Sequence, residues 1–380
     1  MAGKRRARGA GEGNIYRRDD GRWVGRLSDR HPDGRRRRVC VYGKTRSEVV
    51  EALRKRLEAQ QQGMVVSSGR TALRQFLESW LEESVKPKVR VRTYASYEQV
   101  VRLHIRPRLG HIPLSRLAPQ HVQAWMNELV AGGLSARTCL YARAVLRASL
   151  STALRWGLVS RNVATLVDAP RAIRQEIAPL DPDQARSLLA SLQGHRLQAL
   201  FTVAVALGLR QGEALGLRWD SVDFDGRALH VRAALQRTKR QWQLVEPKSA
   251  RSRRSIPMPD VVVEALRAHR TRQFRERLLA GEKWRDTGLV FVTRTGTPLE
   301  SRNVTRTFQN LLKRAGLPRI RFHDLRHTAA TLLLAQGVDP RTIMETLGHS
   351  QISLTLNTYS HVLPVLKRDA ADRMNELLVG

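Results

Sequence analysis

Between residues 14 and 43 apolar and polar positions alternate in three short runs, around Ile15 and Tyr16, at 23–27 and at 39–42. Asp20-Gly21 and Asp33-Gly34 separate the runs, and an Asp-Gly pair between alternating segments is a strong hairpin signal. The pattern predicts a three-stranded antiparallel meander. The period then changes: Thr45 and Glu48 form a capping-box pair ahead of Val49, Ala52, Leu53 and Leu57, which share one helical face. A small sheet carrying one helix is the expected first module.

From about 71 to 167 the apolar period is helical throughout. Leu73, Phe76, Leu77, Trp80 and Leu81 form one stripe before the Lys86-Pro87 break, and 94–105 forms a second. Pro119 suits the first turn of a third helix bearing Val122, Trp125, Met126 and Leu129, and Ser135 can cap a fourth that runs to about Trp156. This is a helical bundle, with Arg102, Arg106 and Arg108 read as a solvated face. The stretch 169–180 has two prolines and no period, and reads as a linker.

Helices are expected beyond it at 182–192, 197–209 and 212–218, and again at 261–275, 304–315, 328–336 and 340–347. Strand patterns at 228–231, 242–245 and 255–258 are expected to make one small sheet. A last amphipathic stretch, 369–378, places Ala370, Met374, Leu377 and Leu378 on one side. The fold class is therefore α+β, mainly α with small antiparallel β-sheets, in three domains at 1–66, 70–168 and 181–380 with a linker at 169–180.

Charge changes the picture more than size does. Among 380 residues, 67 Lys and Arg outnumber 34 Asp and Glu, a formal net charge of +33, so a polyanion is the expected partner. The segment 1–10 reads as a basic arm, and the arginines at 35–38 lie on or beside the third strand, where a basic sheet face can enter a DNA groove. No apolar run is long enough for a membrane span and the N-terminus lacks the apolar core of a signal peptide, so the expected location is the cytoplasm, with no membrane partner. Cys40 and Cys139 are too few for a disulfide framework or a thiolate metal site.

Two segments of the third domain are dense in phosphate-binding side chains. LGLRQGEAL at 207–215 sets Arg210 three residues before Glu213, and FHDLRHT at 322–328 puts His323 and Arg326 on one turn. LGHS at 347–350 follows with His349, and LNTYSH at 356–361 with Tyr359. Each has a plain reading alone. Arg210 and Glu213 can form an ordinary surface bridge, His323 and His327 lack the acidic partner of a zinc motif, and a lone tyrosine is usually half-buried.

Together, Arg-x-x-Glu, a lysine in a strand turn, His-x-x-Arg, Leu-Gly-His and Tyr, in that order, resemble the tyrosine recombinases, specifically the phage-type integrases. The resemblance covers all three domains and rests mainly on 180–361. It implies an arm-type DNA-binding domain first, a core-binding bundle second and a catalytic domain third. It also implies that Arg210, Lys248, His323, Arg326 and His349 are catalytic, that Glu213 supports them, and that Tyr359 is the nucleophile. Lys248 fits the hairpin EPKSARSRRSIP at 246–257; Lys239, Arg251, Arg253 and Arg254 crowd the same strands, and the arginines read as backbone phosphate contacts.

The implied activity is site-specific recombination that integrates and excises a phage or other mobile element through a 3′-phosphotyrosyl intermediate. Its implied partners are double-stranded DNA core and arm sites, three further copies of the chain in a tetramer on two sites, and a directionality factor or host DNA-bending protein as accessory. No cofactor is implied, because guanidiniums can stabilise phosphate charge as a metal would. A type IB topoisomerase and a non-catalytic DNA-binding protein are the competing readings. The two extra DNA-binding modules argue against the first, and the full set of reactive residues against the second. Stretch 369–378 can dock on a neighbouring subunit or on its own domain.

Overall fold

A computed structural model describes residues 14–30, 36–61, 71–171, 179–238, 241–246, 253–348 and 374–379. The chain divides into two compact units, 1–174 and 175–380.

In the first unit, β1 (Asn14–Arg17), β2 (Trp23–Arg30) and β3 (Arg36–Gly43) form the antiparallel meander in the order β1-β2-β3. The first turn is tight because Gly21 takes φ of 80°, whereas Asp33-Gly34 lies outside the described residues. α1 (Arg46–Gln61) lies on the sheet, with Val49 and Leu53 buried beside Val24. A Cβ at Gly25 would sit 2.5 Å from Leu53 Cδ1, so the helix approaches closely only because β2 has no side chain there. At its start the Glu48 N–H donates to Thr45 Oγ1 at 3.3 Å, while the Glu48 carboxylate accepts from the Lys44 N–H at 2.8 Å. The capping pair thus spans one residue more than the simple motif.

The bundle contains α2 (Leu73–Ser79), α3 (Val91–Val100), α4 (Arg106–Leu109), α5 (Pro119–Ala131) and α6 (Ala136–Arg155). Ser135 caps α6 by accepting from the Thr138 N–H at 3.2 Å, as its sequence predicts. Two stretches depart from plain helix. Trp80–Val85 and Val101–Ile105 are wide turns in which N–H groups reach carbonyls five residues back, as in Lys86 to Leu81 at 2.9 Å. The extra residue re-phases the apolar stripe, which a 3.6-residue period does not show. Trp80 and Trp125 are buried in the core, and each indole finds an acceptor, Thr152 Oγ1 at 3.3 Å and the His104 carbonyl at 2.8 Å.

The second unit opens with α7 (Pro182–Ser191), capped by Asp181, then α8 (Gln198–Leu207) and the short α9 (Gln211–Leu215). Strands β4 (Val222–Asp223), β5 (Ala228–Val231), β6 (Ala234–Thr238), β7 (Gln241–Val245) and β8 (Arg254–Pro257) follow. They form two sheets, β4-β5-β8 and a separate β6-β7 hairpin, rather than the single one expected. Strand β6 escaped the sequence pattern because ALQRT has one strongly apolar residue and no Gly or Asn turn marks its end. It is held instead by Leu235 opposite Leu244 and by the Arg237 guanidinium, 5.3 Å from the centre of the Trp242 ring.

After the strands come α10 (Asp260–Ala280), α11 (Ser301–Arg314), α12 (Asp324–Ala335) and α13 (Pro340–Leu347). Helix α8 is buried on all sides, packed between α10 and α12. Residues 374–379 are helical, with Met374, Leu377 and Leu378 exposed; Ala370 lies outside the described residues. No described helix is long and apolar enough to cross a membrane.

Candidate active site

Helix α8 ends at Gly208, whose φ of 61° turns the chain out of the helix. A Cβ here would lie 2.4 Å from Leu347 Cδ2 and 3.2 Å from the Ala329 Cβ, so α12 and α13 both close on this turn. The freed Gly208 carbonyl accepts from Arg326 Nη1 at 3.0 Å. The turn then delivers Arg210 to the cap position of α9.

Arg210 is fixed at three points. Its N–H donates to Glu213 Oε2 at 3.1 Å, Nη1 to Glu213 Oε1 at 2.7 Å, and Nη2 to the Gly348 carbonyl at 2.9 Å. Its side chain keeps 38% of its surface, whereas that of Glu213 keeps 4%. Glu213 is therefore no surface bridge partner, and the plain reading of this pair is corrected. Burial pushes its carboxyl up, but the Arg254 and Arg210 guanidiniums outweigh that and hold it below the usual carboxylate range.

Arg254 corrects a second expectation. Its side chain is only 6% exposed, with Nη2 donating to Glu213 Oε2 at 3.0 Å and Nε to the Thr346 carbonyl at 2.6 Å, so these donors serve the protein's own framework where a backbone phosphate contact was expected. Sequence gave no sign of this, because the spacing to Glu213 is 41 residues.

α12 carries the other group. It begins at Asp324, four residues before the apolar period suggests, because Asp324 is buried against the turn before it. The Asp324 carboxylate accepts from the Arg321 N–H at 2.7 Å and from its guanidinium at 2.8 Å. Burial raises this carboxyl, but Arg321 brings it below its ordinary value. His323 is exposed at the helix cap, and Arg326, one turn on, is buried. Partial desolvation, then the charge of Arg326 and to a smaller extent Arg210, lowers the His323 pKa, so its imidazole is neutral near pH 7. His327 sits edge-on to His323 with ring centres 5.4 Å apart, and burial together with His323 lowers it to about 4. Among the described residues no third His, Cys, Asp or Glu joins this pair to form a metal-binding group.

The structure thus gathers Arg210, Glu213, His323 and Arg326 around one helix-end turn. Lys248, His349 and Tyr359 lie outside the described residues, as do Lys239 and Arg251. The described chain breaks off at Glu246 and resumes at Arg253, and it breaks off again at Gly348, one residue before His349. Arg210 and Arg254 share the Glu213 carboxylate, Arg321 holds that of Asp324 and Arg326 bonds the Gly208 carbonyl, so four guanidiniums outnumber two carboxylates and the cluster carries net positive charge suited to a phosphate.

Comparison with known proteins gives a consistent picture. Residues 179–364 match the model of the phage integrase family, and 72–130 match that of the phage integrase N-terminal SAM-like domain. A XerC-like tyrosine recombinase of Caldanaerobacter subterraneus is 32% identical over 92% of this chain and 94% of its own length. An integrase of Saccharopolyspora erythraea is 28% identical with both chains fully covered. Among solved structures, the Tn1549 transposon integrase in complex with transposon right end DNA covers 81% of this chain and 100% of its own, at TM-score 0.68 and 24% identity. A lambda integrase dimer bound to a core site covers 94% and 96%, at TM-score 0.57 and 18% identity, and both likenesses concern the fold.

Proposed function

The chain belongs to the phage integrase family of tyrosine recombinases, enzymes of site-specific recombination in mobile elements, and on that premise we propose that Tyr359 is its nucleophile and that the Arg210 cluster holds the DNA phosphate it attacks. The observation that supports this most is Arg210 itself. Its guanidinium is oriented by Glu213 and the Gly348 carbonyl yet still partly open, beside a neutral His323 and the helix that bears Arg326.

A phosphodiester repels nucleophiles, and its transition state gathers further charge on the nonbridging oxygens. Arg210 and Arg326 supply fixed positive charge at that point, with His349 donating a hydrogen bond. A phenol attacks well only once it gives up its proton, and Tyr359 gives its own to His323 as its oxygen bonds to phosphorus. The bond from phosphorus to the 5′-oxygen breaks, and Lys248 protonates the leaving oxygen. A 3′-phosphotyrosine and a free 5′-hydroxyl result. A 5′-hydroxyl from a second duplex reverses the step, so one phosphodiester is exchanged for another and no energy source is consumed. Lys239 is the alternative acid.

The relatives' DNA complexes support double-stranded DNA as the substrate, and exchange between two duplexes calls for four copies of the chain. Within this reading the first module grips arm sites, the bundle grips the core site, and a directionality factor or DNA-bending protein sets direction. Such DNA chemistry fits the bacterial cytoplasm or nucleoid, that of the host cell if a phage encodes the protein.

The test is covalent trapping on a nicked duplex carrying the core sequence recovered from the element's junction DNA. Wild-type protein should give a band shifted on a denaturing gel, undiminished by a chelator, and Tyr359→Phe should give none while binding the duplex almost as tightly. A trapped band from the Phe variant would sink the nucleophile assignment.

A further inference from the structure

Arg254 enters none of the steps above, yet it bonds the carboxylate that orients Arg210 and the end of α13. It occupies the first position of β8, opposite Val231 of β5, six residues after Lys248. Only 6% of its side chain is exposed, so a cation there must satisfy its donors within the protein. Nε goes to the Thr346 carbonyl and Nη2 to Glu213 Oε2.

Both acceptors belong to the site's framework. Thr346 is in the last turn of α13, where unpaired carbonyls make an electronegative end that a cation stabilises. Two residues on, Gly348 gives its carbonyl to Arg210, and His349 follows directly. Glu213 is the hub of the arrangement: Oε1 accepts from the Arg210 guanidinium, and Oε2 accepts from both the Arg210 N–H and Arg254. One carboxylate and two guanidiniums therefore pin together the start of β8, the cap that bears Arg210, and the end of α13.

We infer that Arg254 is a positioning residue for strand cleavage, holding the β8 edge and the α13 end in fixed relation to Arg210. The inference rests on the assignment of Lys248, Arg210 and His349 to the chemistry. A planar guanidinium meets a carboxylate and a backbone carbonyl lying in different directions, whereas an ammonium on a flexible stem holds one of them well. An Arg254→Lys variant thus keeps the charge beside Glu213 and loses the fixed geometry.

The experiment uses the full chain and the same nicked duplex, with single-turnover trapping at saturating DNA, DNA affinity and melting midpoint all measured. Arg254→Ala and Arg254→Lys should each slow trapping by about 10²-fold, the scale of a misplacement near 1 Å, with affinity changed by no more than about twofold. If the Ala variant is unfolded at the assay temperature, the Lys variant carries the test. The deciding readout is coupling. In a His349→Ala background Arg254→Lys should cost less than about tenfold, because the group it positions is already gone. Rates that multiply in the double variant, an unchanged rate in the single one, or a loss traced wholly to DNA affinity would overturn the role. Tyr359→Phe run alongside separates the two ideas, since a trapped band from it condemns the chemistry rather than Arg254.

Discussion

Arg102 and Glu98 in the bundle lie 2.9 Å apart at a spacing of four residues; Arg210 and Glu213 in the second unit lie 2.7 Å apart at a spacing of three. On paper they are the same ion pair. The bundle pair keeps 57% and 40% of its side-chain surface, and its neighbours Arg106 with Glu78 and Arg108 with Glu128 are as open. Glu213 keeps 4% and shares its carboxylate with the equally buried Arg254. Distance does not separate the two cases. What does is whether water can replace a lost partner, which it can in the bundle and cannot beneath the α8 turn.

The sharpest way to break that contrast is to remove one carboxylate from each region. Glu213→Gln leaves Arg254 buried without its counter-charge and should cost about 3 to 5 kcal/mol. In thermal melts of the second unit, residues 175–380, that is a fall of roughly 10 °C. Glu98→Gln should cost no more than about 0.5 kcal/mol, and still less in high salt. Equal effects would show that Glu213 is no hub.

A smaller difference follows from pH. The folded-state pKa of Glu213 lies below its unfolded value, so its contribution is present above the unfolded value, near 4.3, and disappears as pH falls through the folded one. The stability gap between wild type and Glu213→Gln should be constant from neutral pH to about 5 and close only below about 4, as carboxyls protonate. Comparison with the Gln variant cancels Asp324, whose carboxyl is also held low. A gap that widens on acidification would mean the carboxyl is raised instead.

How much of this the sequence discloses follows the same division. The second half of the bundle is legible almost to the residue: Ser135 caps α6, Pro119 opens α5, and Val122, Trp125, Met126 and Leu129 are its buried face, because local period and capping decide these matters. The motif order also pointed to Arg210, His323 and Arg326, which the fold brings to one turn. The inward partners of Arg254 and the split of the strands into two sheets are not legible in the sequence. Both depend on partners far along the chain, as with Glu213 and Thr346 for Arg254, and no local pattern encodes those. Asp324 lies inside a recognised motif, and its spacing to Arg321, three residues back, is the one local signal of their pairing at the start of α12.

The smallest effect on stability falls in the bundle, and there it also decides what the basic surface is for. Arg106 lies 3.3 Å from Glu78 and Arg108 lies 3.2 Å from Glu128, all four side chains more than half exposed. Replacing both arginines by alanine should cost less than about 1 kcal/mol, since each bridge is worth a few tenths. Binding to DNA is another matter. If this face meets the duplex, each arginine that neutralises a phosphate releases counterions, and its loss should flatten the slope of log K against log salt by about 0.9. Anisotropy titrations with the core duplex from about 50 to 200 mM salt would read a change of up to about 1.8 in the double variant. Glu78→Ala with Glu128→Ala should act in the opposite sense, freeing the arginines and tightening binding. A slope unchanged by either pair would leave these residues as solvated surface, and the contact with DNA would have to be sought on another face of the bundle.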